Sequence, residues 1–327
     1  MISRVADHCF WFGRYFERAE STARLLSVTR QLALDGELGE GRPWPPVLVV
    51  SGEREHFDSI HPARGTPGPD TDGELVQRYM VFEESNMTSL SRSIRGARDN
   101  ARSIREVLSL EAWETVNGLY LWMIDKEARN DFEDARDGFY RRVRQATQLC
   151  LGLLRSTMLH DAPLDFIWLG VLLERVGQTA RILDVHHHAF ADRDASPSDD
   201  VGIWLTLLHA VSGFEAYVRS RQGRVSGTEV ARFLLLEPRF PRSIRYCVHA
   251  AKERMEAVRP PAEASLPGAA AYARLVALDA WVDGLDPEGQ LDAVHERLTH
   301  VVDEVSLVCG ELGRELLGQA EMQHVEG

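Results

Sequence analysis

Most of the features that would declare a chemistry are missing from this chain of 327 residues. Cysteine is scarce. Cys9, Cys150, Cys247 and Cys309 stand far apart in apolar helical settings with no CxxC pair, which excludes a zinc knuckle or a dithiol motif. Buried, reduced thiols in a reducing compartment are the expectation. Positive charge is in deficit, with 37 Lys and Arg against 50 Asp and Glu for a net charge of −13, so a phosphate backbone is repelled and nucleic acid is a poor partner. No window approaches 18 uncharged apolar residues, so no membrane span is expected. The opening MISRVADHCFWFG carries no basic stretch leading into an apolar run and a cleavage site, so a cytoplasmic location is expected. No stretch alternates with a period of two, which argues against a sheet.

Motifs for self-sufficient catalysis are lacking as well. There is no P-loop and no GxSxG, so the chain alone is not expected to bind ATP, and whether it is an enzyme stays open. A di-metal carboxylate bundle needs two ExxH motifs. One occurs, Glu53 to His56, in an irregular region. His186, His187 and His188 sit side by side near a helix end and do not converge on one ion, so no metal and no cofactor is expected. A metal–carboxylate bundle enzyme is the remote alternative.

What is present is helical periodicity, and it predicts an all-α, multi-helix bundle. Apolar stripes place helices from Ser3 towards Asp35, over 75–82, from about Leu90 to Leu108, through Trp113 to Met123, and over 132–158. Further helices follow at 168–185, 201–222, 227–236, up to Val258, 269–282 and 288–317. Asn86 or Thr88 is expected to cap the helix at Leu90, and Ser109 the next. Residues 36–74 read as a loop-rich insertion with one short element at 47–51.

The opening helix is written twice. Residues 11–28 read WFGRYFERAESTARLLSV and residues 168–185 read WLGVLLERVGQTARILDV, with 9 of 18 positions identical at an offset of 157. Arg92-Ser93-Ile94-Arg95 matches Arg242-Ser243-Ile244-Arg245 at an offset of 150, and Trp44…Leu48…Ser51-Gly52 matches Trp204…Leu208…Ser212-Gly213 more faintly. The expectation is one helical unit in tandem, over 1–158 and 159–327.

At about 100° per residue, Gly13, Glu17, Glu20 and Arg24 fall on the side away from the Phe12/Phe16/Ala19/Ala23 stripe. The second copy places Gly170, Glu174, Gly177 and Arg181 there. A solvated side with an i,i+4 Glu20–Arg24 pair is the plain reading. Against it, Gly, Glu and Arg persist while most positions between the copies have diverged. A helix glycine costs up to about 1 kcal/mol relative to alanine, so a backbone or a ligand should approach closely at Gly13 and Gly170. Two readings stay open: a buried ion network that locks helices in register, or the lining of a cleft for an anionic or zwitterionic ligand. In either, Glu17 is a candidate partner for Arg95, Arg98 and Arg102, or for Arg242, which Pro241 directs inward at a helix start. Arg18 and Arg175, at the stripe's edge beside Trp11 and Trp168, are expected to stack on indole or snorkel.

Four phrases, SRVADHCFWFGRYFERAESTARLL, RSIRGARDNARSIREVLSLEAWETVN, FIWLGVLLERVGQTARILDV and FLLLEPRFPRSIR, together resemble the bacterial alpha-E domain family, a domain of unknown function, over essentially the whole chain. The family's glutamates would here be Glu17, Glu20 and Glu174. Members are typically encoded beside, or fused to, a circularly permuted ATP-grasp protein, often with a transglutaminase-like peptidase. The resemblance therefore implies a helical partner of an ATP-dependent carboxylate–amine ligase. The alternative is a non-catalytic scaffold for protein interaction. Met87 departs from the proline the family carries after Asn86, only His188 of the three histidines fits, and residues 36–74 have no match.

Overall fold

In a computed structural model of the chain, residues 3–35, 43–62, 72–191, 197–220, 225–261, 266–285 and 294–318 are described, without the side chains of 186–191 and 197–200. The histidines at 186–188 therefore lie outside the described side chains. The described residues form fifteen α-helices and no strand. The all-α reading holds.

The first half contains α1 (Ser3–Asp35), α2 (Pro45–Ser51), α3 (Arg54–Ile60), α4 (Gly73–Phe82), α5 (Leu90–Ser103), α6 (Leu110–Ile124), α7 (Lys126–Asp134) and α8 (Arg136–Thr157). The second contains α9 (Ala162–Ala191), α10 (Pro197–Ala210), α11 (Phe214–Ser220), α12 (Gly227–Leu236), α13 (Ile244–Val258), α14 (Ala269–Asp283) and α15 (Val294–Glu315). Set α7 aside and the two series run in the same order. Lengths agree at 7 residues for α3 and α11, 10 for α4 and α12, 15 for α6 and α14, and 22 for α8 and α15.

Local devices recur with them. Gly73 and Gly227 begin α4 and α12, each under an indole: a Cβ would stand 2.1 Å from Trp44 Nε1 at Gly73, and 2.6 Å from the Trp204 ring at Gly227. Gly52 (φ 72°) and Ser212 (φ 52°) take the left-handed backbone that turns α2 into α3 and α10 into α11, so Ser212 corresponds to Gly52 and the Ser51-Gly52 match to Ser212-Gly213 is out by one residue. Ser89 and Ser243 cap α5 and α13, accepting from Arg92 N and Tyr246 N.

Several expected boundaries shift for physical reasons. Ser89 is the cap, while the Asn86 side chain binds Thr88 N in a turn upstream. Because Ser89 matches Ser243 at an offset of 154, the RSIR match at 150 is out of register by one helical turn. The true counterpart of Arg242 is Thr88. Residues 45–60, within the stretch expected to be loop-rich with one short element, form the two helices α2 and α3; residues 36–42 and 63–71 lie outside the described residues. The helix expected over 132–158 divides at Ala135, and the one over 201–222 bends by 113° between α10 and α11.

The bundle is built on α1 and α9. α1 packs on α5 and α8 of its own half and on α10 of the other; α9 packs on α13 and α15 and on α2. Each half thus lends a short helix to the other's long one. Phe12, Phe16, Ala19, Ala23 and Leu26 are fully buried along α1, as are Leu169, Leu173, Val176, Ala180 and Leu183 along α9. At roughly 1.5–3 kcal/mol per buried large aliphatic or aromatic side chain, these stripes are ample to hold the two helices in the core.

Candidate functional site

The second side of each central helix is buried too. A Cβ on Gly13 would lie 2.1 Å from the Ile167 carbonyl oxygen, and a Cβ on Gly170 would lie 2.1 Å from that of Phe10. The two contacts exchange when the copies are swapped at the offset of 157. The two glycines let the helix backbones touch, and pairs further along ascend together, so α1 and α9 run side by side in the same direction. What approaches each glycine is the other helix.

One turn on, the carboxylates cross over. Arg175 donates from Nε and Nη2 to Glu17 at 2.9 and 2.7 Å, and Arg18 donates from Nε and Nη2 to Glu174 at 2.7 and 3.0 Å. These two forks are symmetry mates: the Glu-Arg dipeptide of each helix clasps that of the other. Arg18 and Arg175 are thus partners of the carboxylates and do not stack on indole; the ring beneath Arg18 is Tyr15, 5.7 Å away. Glu17 and Glu174 are 0% and 1% exposed. A solvated side is ruled out.

Beyond the clasp the ends diverge. At the first end, Arg242 bridges Glu17 and Glu20 at 2.9 and 2.8 Å. Arg24 bonds both Glu20 and the Ser212 hydroxyl, with Gln148 adding a bond to Glu20 at 3.2 Å. Burial alone would raise the Glu20 pKa, but Arg242 and Arg24 outweigh it and hold the carboxyl down at about 2. Arg144 of α8 flanks this cluster with a buried Nε that has no acceptor; burial first, then Arg24, lowers its pKa.

At the second end, Arg14 joins Arg18 on Glu174, donating at 2.8 and 2.7 Å, and Gln178 adds a bond at 3.2 Å. Burial would raise the Glu174 pKa, yet Arg14 and Arg18 drive it well below the ordinary carboxylate range. Arg181, the counterpart of Arg24, has no hydrogen bond or ion pair among the described residues. The reason is in the sequence: Gly177 stands where Glu20 would be, with its Cβ position 3.3 Å from Arg181 Nη2. Desolvation lowers the Arg181 pKa; Glu174 opposes that and Arg18 and Arg14 reinforce it.

Of the residues singled out in the sequence, Gly13, Glu17, Glu20, Arg24, Gly170, Glu174, Arg181 and Arg242 all gather at the α1–α9 seam. Arg95, Arg98 and Arg102 do not. Arg95 forks onto Glu84 at 3.0 and 2.9 Å, Arg98 pairs with Asp99 and lies over the Tyr120 ring, and Arg102 is exposed. Capping by Ser89 sets their faces towards α4, α6 and solvent, one turn away from where the RSIR match would set them. Sequence reasoning missed Arg14 and Gln178 and gave Arg18 and Arg175 a different role. Arg18 and Arg175 were detectable as identical in both copies; Arg14 faces Val171 in the repeat and leaves no such trace. Burial pushes the thiols of Cys9, Cys150 and Cys247 up to about 12 and raises that of Cys309, which lies near Arg14 and Glu174.

Residues 1–317 match the Alpha-E family model, described as "a predicted alpha-helical domain with a conserved ER motif". Among curated proteins, an uncharacterized protein of Mycobacterium bovis and two of Mycobacterium tuberculosis are each 25% identical over 255 residues. That alignment covers 74% of this chain and 28% of each relative, so the chain spans a little over a quarter of the relatives it matches. No solved structure matches.

Proposed function

We propose, for a chain that belongs to the Alpha-E family, that it is the helical partner of an ATP-grasp-type carboxylate–amine ligase, holding an anionic end of the substrate while the partner activates it. The carrying observation is the state of the central carboxylates. Glu20 and Glu174 are clamped by guanidiniums and keep their charge far below neutral pH, so neither can trade a proton as a general acid or base. A site of this make-up binds and orients, leaving activation to another protein. The length of the mycobacterial relatives supports the same reading, since the aligned unit there belongs to a much longer chain. The recurrence of the helix order, with the short helices exchanged between halves, supports descent of 1–158 and 159–327 from one duplicated unit.

The test is reconstitution with a circularly permuted ATP-grasp protein of the kind that the family resemblance implies. ATP turnover should require both chains and an added carboxylate and amine, and Arg181→Met should depress it without lowering the melting temperature. Turnover by the ATP-grasp protein that is the same with and without this chain would leave only the scaffold role.

A further inference from the structure

The first end of the helix pair carries, covalently attached, the group that the second end lacks. Arg24 is answered by the Glu20 carboxylate and the Ser212 hydroxyl. At the positions equivalent to those two acceptors stand two glycines. Gly177 replaces Glu20. Gly52 replaces Ser212, with the same left-handed backbone and no atom within 4 Å of where its Cβ would be. The second end has neither acceptor, yet it has the arginine.

The surroundings of that arginine are cationic. Arg14 and Arg18 take up the Glu174 carboxylate between them, and Arg181 faces the same three groups without a bond to any of them. A guanidinium cannot escape by losing its proton. Arg14 and Arg18 have each spent Nε and Nη2 on Glu174, which leaves their Nη1 groups for another acceptor. The place is reachable: the Arg14 and Arg18 side chains are 17% and 16% exposed, and Gln178 and Arg181 are half-buried.

We propose that the second end is a binding site for the carboxylate of a small-molecule or peptide ligand, which sits on the Arg181 fork in the role that Glu20 plays for Arg24. The choice of carboxylate rests on the internal template, since the group that fills the equivalent place is itself a carboxylate. The assignment builds on the reading that this seam faces a substrate but does not depend on which ligase receives it.

The experiment is calorimetric titration of the isolated full chain, without partner or ATP, using N-acetylglycine as probe and inorganic phosphate as competitor. One-site binding of N-acetylglycine is expected. Arg181→Met should weaken it by about tenfold or more, the scale of a lost charge-assisted fork. Gly177→Glu, which supplies the missing carboxylate, should abolish binding while the protein melts no lower than the parent. Binding that survives both substitutions, no binding at millimolar probe, or phosphate binding as tightly as the carboxylate would each overturn the assignment. Loss of partner-dependent turnover with this binding intact would count against the ligase alone.

Discussion

Around Glu17, two carboxylates are shared among Arg24, Arg175 and Arg242, each of which has an acceptor, while Arg24 and the neighbouring Arg144 each keep a buried Nε without one. Around Glu174, one carboxylate is shared between Arg14 and Arg18, and Arg181 has none. The clasp of Glu-Arg on Glu-Arg is common to both ends, so it belongs to the architecture. The difference lies in what was added next to it. The first end was closed with Glu20, Ser212 and Arg242; in the second, Gly177, Gly52 and Thr88 hold those places. The matching order of elements makes this legible, because each end serves as the other's control.

The comparison can be broken most forcefully at the clasp. Glu17→Ala or Glu174→Ala strands buried guanidiniums and should cost about 3–5 kcal/mol in denaturant unfolding. Glu17→Ala should be the worse, because its partner Arg175 is 9% exposed against 17% and 16% for Arg14 and Arg18. Equal losses would mean that the ends do not differ in burial as described. Next in size are Gly13→Ala and Gly170→Ala. Each places a methyl against a backbone carbonyl that cannot retreat without parting the helices, so about 1–3 kcal/mol is expected, and by the same amount at both sites. A harmless alanine at one of them would disprove the reciprocal contact.

Acid should expose the carboxylates in a defined window. Glu20 and Glu174 have folded values below their ordinary 4.5, so they stabilise the protein above that pH and the contribution is lost as pH falls from about 4.5 through the folded value, about 2 for Glu20. Unfolding free energy measured from pH 6 to 3 should fall, and Glu20→Gln should flatten part of the slope. The smallest effect is at Arg95. Its pair with Glu84 is exposed, so Arg95→Ala should shift stability by no more than about 0.5 kcal/mol.

Much of this was written in the chain and some was not. The helices followed from periodicity, and the seam from Gly, Glu and Arg recurring where the apolar stripe gives no reason for them. The recurrence fixed the residues but not their geometry. A helix wheel places Glu17 opposite the stripe without revealing that α9 covers it, because the crossing is a long-range fact. The four-residue string RSIR misled for a related reason: its serine is a cap at 243 but lies inside the helix at 93, and capping sets the register of everything after it. Arg14 was invisible because it has no counterpart, and what distinguishes the two ends is by nature unrepeated. Gly177 was legible as the missing Glu20, but only the structure shows that Arg181 was left without an acceptor.

The most direct test compares Gly177→Glu with Gly177→Gln by their unfolding midpoints at neutral pH. Both remove the helix glycine and add a side chain of nearly equal size, so backbone propensity cancels and only the charge differs. If Arg181 is an arginine awaiting a carboxylate, the Glu variant unfolds at higher denaturant than the Gln variant, and the gap closes when Arg181→Met is added. A Glu variant no more stable than the Gln variant would contradict the account.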